Sequence, residues 1–377
     1  MAYPSVDWSD NISSIRPRLA SGNDVMANWT TPPTDIKAVN VAARSLRTSP
    51  LPLPAGPDYD LVNRWRSAHS FPLNAMQIDL RRKVRHVEAE VTVAQRIKRI
   101  ESIHRKLVYK DTMRLVQMQD IGGCRAVLSS INSLQNMRDR YDKSIFAHTL
   151  HKVNDYMNEP KPDGYRSLRL VYSFKGKDKT ACYDGLRIEV QLRTELQHAW
   201  ATAVETVDLF TKQAIKSNRG ERDWRRFFAL MSAAIASIEG CVTVEGTPQN
   251  RDEPVSEIRE LSDLLRVKNT LGAYKATLEG VRDMREYKFF VLRLDIKNQN
   301  VRLQSFGPKQ SRTANLWRDR IESELVEEDD VQVVLLSVDS LSALYRAYPN
   351  YFADTSRFVS LLDQAVKGDF PRPICPA

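Results

Sequence analysis

The segment RIKRIESIHRKL (96–107) carries cations at a spacing that could meet a polyphosphate. Wound as a helix, it sets Lys98, Ser102, Arg105 and Lys106 on one face and Ile100, Ile103 and Leu107 on the other. One side can bury while the other offers several positive donors to charge spread over several oxygens. An ordinary amphipathic helix with a solvated basic face has the same pattern. Further along, QDIGGCRAVL (119–128) puts Asp120 at the mouth of an apolar strand, where a carboxylate can hold Mg²⁺ and the glycines allow close backbone approach. In RIEVQLRT (187–194), strand alternation sends Glu189, Gln191 and Arg193 one way and Ile188, Val190 and Leu192 the other. Such a polar face suits a ligand, and equally a solvated edge strand. In KPDGYRSLRLVY (161–172) a Pro-Asp-Gly turn delivers Tyr165 at a strand entry, placed either to stack a base or simply to pack.

The elements that must position these residues follow from pattern. Strands are expected at Cys124–Leu128, Ser167–Phe174 and Leu186–Leu192, with helices around 131–143 and 195–238. Leu61, Trp65 and Ala68 are at helical spacing, and a second helix carries Ile78, Val84 and Val87. Residues 1–58, rich in Pro, Ser, Thr and Asn, give an irregular N-terminal arm. After the turn-rich GTPQNRDEP (246–254), a helix is expected through about Glu279. Alternation in Phe290, Leu292, Leu294 and Ile296, then in Val301 and Leu303, marks a hairpin, followed by a helix (312–326), a strand (331–338) and terminal helices. The fold class is α/β (α+β), with units at 59–245 and 255–377.

The chain has 377 residues, 42% hydrophobic and 27% charged, which places it among soluble globular proteins of two or three domains. Its net charge of +9 suits an anionic partner such as nucleotide phosphates or RNA, and a solvated basic surface as well. The four cysteines form no CxxC pair, which argues against a zinc site or disulfide framework. The N-terminus lacks an apolar signal region, and no stretch is long and apolar enough to span a bilayer, so a cytoplasmic protein is expected.

Taken in order, RIKRIESIHRK, QDIGGCRAV, KPDGYRSL and RIEVQLRT resemble the signature segments of RelA/SpoT synthetase domains, over about residues 59–240. The resemblance implies a nucleotidyltransferase-like mixed sheet flanked by helices, and transfer of the β,γ-diphosphate of ATP to a ribose 3′-hydroxyl. It implies that Arg96, Lys98, Ser102 and Lys106 cradle the ATP phosphates. Asp120 and Glu189 would hold Mg²⁺, with Glu189 also taking the 3′ proton. Tyr165 would stack the acceptor base, with Gln191 and Arg193 nearby. The family's alarmone synthetases usually carry His where this chain has Arg169, which weakens the case for GDP or GTP and leaves room for an extended phosphate backbone. None of the six histidines is followed by Asp, so the hydrolase half of the long bifunctional enzymes has no counterpart.

The C-terminal unit resembles the antitoxin-like domain of fused toxin–antitoxin RelA/SpoT proteins of the CapRel antiphage type. In AYPNYF (347–352), Tyr348 and Tyr351 would form the YxxY element that shields the nucleotide site until a phage protein releases it, although Tyr345 also lies three residues before Tyr348. The resemblance implies a latent toxin acting on the 3′ end of tRNA, so that residues 1–250 alone would be far more toxic than the full chain. The alternatives are a monofunctional alarmone synthetase using GDP or GTP, and a catalytically silent RNA-binding or phage-sensing protein.

Overall fold

The computed structural model describes residues 29–51, 53–144, 146–211, 222–248, 254–273, 277–279, 287–295, 298, 300–324, 331–338, 344, 345, 347, 348 and 355–368. Three helices open it: α1 (Ile36–Arg47), α2 (Pro57–Ala68) and α3 (Ser70–Val84). α1 falls inside the expected irregular arm and corrects that reading. Asp35 caps it by accepting from the Ala38 amide (2.9 Å), and Val39, Ala42, Ala43 and Leu46 bury one stripe at helical spacing. That stripe joins a core with Trp65 of α2.

There follow β1 (Thr92–Ile97), α4 (Ile100–Tyr109), β2 (Gly122–Leu128), α5 (Ile131–Lys143), β3 (Thr149–Asp155), β4 (Leu168–Ser173), β5 (Arg187–Thr194), α6 (Glu195–Thr211) and α7 (Arg222–Glu239). The remaining described elements are α8 (Pro254–Leu264), α9 (Val267–Ala273), β6 (Thr277–Glu279), β7 (Phe289–Asp295), β8 (Asn300–Phe306), α10 (Ser311–Glu324), β9 (Val331–Ser337) and α11 (Ser356–Lys367). The three strands expected at the chemistry-bearing motifs are present, as is the β7–β8 hairpin. β1 and β3 were not expected.

All nine strands among the described residues belong to one mixed sheet, ordered β3-β4-β5-β2-β1-β9-β7-β8-β6. β2 and β5 run parallel at its centre, and β1, β4 and β9 join antiparallel. The turn-rich linker at 246–254 therefore does not divide two independent cores. β9 bonds to β7 over seven residue pairs, from Phe289↔Ser337 to Asp295↔Val331, but to β1 only through Gln95↔Ser337 and Arg96↔Leu336. Helices close the union from the other side. Ile258 of α8, Val267 and Leu271 of α9 and Phe358, Leu361 and Leu362 of α11 are buried in one cluster with Trp200, Trp224, Phe227 and Phe228 of α6 and α7.

A buried ion cluster adds a third tie. Arg66 of α2 donates through Nη2 to Glu322 Oε2 (2.7 Å) and Asp319 Oδ1 (3.2 Å) of α10, and through Nε to Asn63 Oδ1 (2.8 Å). Arg318 donates through Nε to Asp319 Oδ1 (2.9 Å) and through Nη2 to Ser67 Oγ (3.3 Å). The side chains of Arg66, Arg318 and Glu322 are 1%, 2% and 5% exposed, while that of Asp319 is 27% exposed, so two cations and one of their two anions lie almost out of water. Burial pushes the Glu322 carboxyl up, against the pull of Arg66 and Arg318.

Candidate active site

Strand register decides which side chains can meet. Arg96 pairs with Gly123, which pairs with Glu189, while Arg125 pairs with Gln191, which pairs with Arg169. Paired positions project to the same side, so Arg96, Arg125, Arg169, Glu189, Gln191 and Arg193 share one face of the sheet. The other face carries Cys124, Ala126, Leu128, Ile188, Val190 and Leu192, packed with Leu73, Met76 and Leu80 of α3 and Leu134 and Met137 of α5. Alternation in the sequence produces this split, because a one-residue slip would bury the charges.

Asp120 stands two residues before β2. Lys98 Nζ donates to its Oδ2 (3.0 Å) and Lys106 Nζ to its Oδ1 (2.7 Å). Burial alone would raise the pKa of Asp120, but Lys98 and then Lys106 more than reverse this and hold the carboxyl well below the usual carboxylate range. Lys98 is not on the helix, as the sequence pattern had placed it. It occupies the β1–α4 junction, where its amide donates to Ile121 O (2.8 Å), and α4 begins at Ile100. The expected apolar stripe of α4 is present, with Ile100, Ile103 and Leu107 buried, whereas Arg105 is exposed and Ser102 half-buried.

Across the same face, Glu189 forms an ion pair with Arg169, whose Nη1 lies 3.3 Å from Glu189 Oε2. Arg169 also donates through Nε to the hydroxyl of Tyr165 (3.1 Å). The unusual arginine thus bridges two site residues. Tyr165 itself is buried, and its oxygen also receives Gln191 Nε2 (2.7 Å) and Arg193 Nη2 (2.8 Å), with Ser167 Oγ at 2.9 Å. Burial alone would raise the phenol's pKa, but Arg193 and Arg169 bring it down to about 8.

The turn that delivers Tyr165 depends on glycine. Gly164 has φ +87°, and a Cβ there would lie 2.9 Å from Ser232 Cβ, 3.0 Å from Trp200 Cζ2 and 3.2 Å from Phe228 O. Gly164→Ala is therefore expected to cost about 1–3 kcal/mol, measurable by denaturant unfolding.

Four residues missed in the sequence belong to this site. Arg125 lies on the polar face of β2, and period-2 alternation within GGCRAVL could have revealed it. Its guanidinium carbon is 4.7 Å from the ring centre of Tyr348, which is 2% exposed. Lys161 and Tyr156 border Tyr165, with Lys161 Nζ at 4.9 Å from the Tyr156 ring centre and 5.1 Å from that of Tyr165. Ser167 lies beneath the Tyr165 hydroxyl. These last three come together only through the β3–β4 connection, which leaves no sequence signal. Tyr345 is partly buried against the same cluster as Tyr348, and Tyr351 lies outside the described residues.

Among the described residues no group of three or more His, Cys, Asp or Glu could enclose a metal ion. Asp120 and Glu189, one just before β2 and one on the adjacent β5, instead suit Mg²⁺ arriving with phosphate oxygens, since that ion commonly takes one or two carboxylates and completes its shell with phosphate and water. No helix among the described residues is long and apolar enough to cross a membrane.

Comparison with known proteins agrees with this geometry over one part of the chain. Residues 95–212, from β1 to the end of α6, match the family described as "Region found in RelA / SpoT proteins". The chain is 33% identical over 116 residues to the protein named GTP pyrophosphokinase YwaC of Bacillus subtilis, covering 28% of this chain and 52% of that protein. It is 32% identical over 114 residues to a GTP pyrophosphokinase of Haemophilus influenzae, covering 29% of this chain and 13% of that protein. It thus spans about half the length of the first of these relatives, and far less of the second. The small alarmone synthetase 1 structure from Bacillus subtilis aligns with 22% identity and a TM-score of 0.38, covering 55% of this chain and 97% of that one.

Proposed function

We propose that the protein is an ATP-dependent pyrophosphokinase that moves the β,γ-diphosphate of ATP onto a ribose 3′-hydroxyl, and that its C-terminal unit holds it off. Diphosphoryl transfer needs a cationic cradle, a carboxylate pair and an oriented hydroxyl. Lys98 and Lys106, now paired with the one carboxylate of Asp120, are placed to turn to phosphate oxygens, with Arg96 on the adjoining strand. Mg²⁺ held by Asp120 and Glu189 would neutralise charge on the transferring group. Glu189 takes the acceptor proton, and Arg169 fixes the direction of its carboxylate.

The observation that carries the shielding is the Tyr348 ring over Arg125. A guanidinium on the site face is a natural platform for the purine of ATP, because planar cations stack on aromatic rings. Tyr348 takes that place. The acceptor proposed is the 3′ end of tRNA, supported by the net charge of +9 and by a cation at Arg169. A partner protein that draws the 344–348 segment away, such as a phage protein, would release activity. A second reading, a guanine nucleotide as acceptor, is favoured by the names of the two curated relatives.

The test is transfer of label from ATP to bulk tRNA or to GDP and GTP, using the full chain and its Tyr348→Leu variant. Leucine keeps apolar bulk in a buried position while removing the ring. A cation–π contact of about 0.5–2 kcal/mol predicts a rise of roughly 2- to 30-fold in transfer. Equal rates from both chains would remove the shielding, and label on guanine nucleotides alone would reassign the acceptor.

A further inference from the structure

We propose that Arg47, in the last turn of α1, is a positioning residue for the ATP half of the site, bracing the segment that leads from α4 to Asp120. The inference rests on the pyrophosphokinase reading of the site but not on the identity of the acceptor. α1 lies wholly upstream of residues 95–212, the part that matches the RelA/SpoT region.

The first support is packing. α4, which bears Ser102 and Lys106, buries Ile100, Ile103 and Leu107 on its other side. Those three share one core cluster with the buried stripe of α1, and so do Leu115, Met118 and Ile121 of the segment between α4 and β2. Asp120 stands between Met118 and Ile121, and it bridges Lys98 and Lys106. The lysine helix and the carboxylate therefore rest on the same support. Apolar contact alone has no direction, so it cannot by itself set where the carboxylate points.

The second support is the hydrogen bonding, which supplies that direction. Arg47 donates through Nη1 to Asp111 O and through Nη2 to Met113 O (2.8 Å), so one guanidinium spans two carbonyls of the turn just after α4. The turn is closed by the Met113 amide, which donates to Lys110 O (2.9 Å). Asn40, also on α1, accepts from the Val116 amide through Oδ1 (3.5 Å). Arg187, two residues before Glu189 on β5, donates through Nη1 to Gln117 O (3.0 Å). The Lys98 amide then holds Ile121 O (2.8 Å). The segment is thus anchored at its start by α1, at its middle by α1 and β5, and at its end by the β1–α4 junction. Arg47 is the strongest of these ties, because a planar fork fixes both carbonyls at once. Its loss would free the start of the segment, and the slack would be felt at Asp120. A displacement of about 1 Å at a reacting centre can cost on the order of 100-fold in rate.

The experiment places Arg47→Met and Arg47→Lys in the full-length Tyr348→Leu chain and measures kcat with the KM of ATP and of the acceptor separately. Methionine keeps an apolar stem and removes the fork. The brace predicts that Arg47→Met lowers kcat/KM for ATP about 10- to 100-fold, with acceptor KM within about twofold. Arg47→Lys, whose ammonium is a point donor, should recover part of the loss. Should Arg47→Met fail to fold, Arg47→Lys decides alone by the same split. A kcat/KM for ATP within about twofold of the parent, or equal rises in the two KM values, overturns the proposal. Hydrogen exchange gives a readout independent of turnover. The Met113, Gln117 and Met118 amides, bonded within the segment, should exchange several-fold faster in Arg47→Met while those of β4 and β5 stay as they were. If the Tyr348→Leu parent transfers no label, the functional reading has failed and exchange decides instead. Faster exchange confined to residues 111–121 upholds the brace, whereas no change, or a change spread along the whole chain, overturns it.

Discussion

Asp120→Asn, placed in the Tyr348→Leu chain, is expected to reduce label transfer from ATP by about 10²- to 10³-fold, the loss typical of removing one preorganised electrostatic group from an active site. The physical reason lies in what Asp120 organises. Its two carboxylate oxygens are divided between Lys98 and Lys106, so one anion fixes two cations from different elements. An amide keeps the shape but surrenders the charge, and it cannot accept on its nitrogen side. The lysines would lose their shared anchor, and the proposed Mg²⁺ site one of its two carboxylates. Glu189→Gln should be equally damaging by a different route, because it removes the proposed proton acceptor while leaving the lysine pair intact. Comparing the two separates the donor half of the site from the acceptor half. A catalytically silent binding protein makes the opposite forecast: the biological effect would survive both substitutions.

Arg66→Met should be the most destabilising of the simple substitutions considered, at about 3–5 kcal/mol, with an unfolding midpoint lower by the order of ten degrees. Arg66 is 1% exposed and balances Glu322 and Asp319. Its removal leaves two carboxylates facing Arg318 alone, a net charge whose Glu322 half is buried and whose Asp319 half is only partly exposed. Restoring neutrality should restore most of the stability. Arg66→Met combined with Glu322→Leu leaves one cation, Arg318, against one anion, Asp319, and exchanges the buried pair for apolar contact. Differential scanning calorimetry of the single and double variants checks this. A double variant as unstable as Arg66→Met would show that packing, not charge, ties α2 to α10.

How much of this could be read in the sequence depended on whether the deciding contact was local. β2, β4 and β5 alternate apolar and polar residues next to strong turn signals, and all three were legible. β1 was not, because TVAQRI runs into a cationic segment whose helical spacing is equally good, and Lys98 was drawn into the helix with it. β3 was hidden by exposure: Thr149 to Val153 are open on both faces, so no alternation appears. α1 lay in a proline-rich stretch where composition outweighed the Asp35 cap. At the candidate site, motif order had singled out the carboxylates, the lysines and Tyr165. Arg125 under Tyr348 was not, since residues more than two hundred positions apart meet only once the sheet is assembled. The same holds for the division into two units, where a flexible-looking linker concealed a shared sheet.

The two-pair junction between β1 and β9 bears on how the proposed shielding could be relieved. A chain cut near residue 250 would leave β1 with bare amides and carbonyls along its outer side, a template on which other strands can grow. It would also uncover the surfaces of α6 and α7 that Ile258, Leu271, Phe358 and Leu362 now cover. Such a fragment is expected to precipitate, and poor toxicity from it would reflect insolubility rather than a dead catalyst. Under the proposed shielding, displacement with every element still attached is the gentler route.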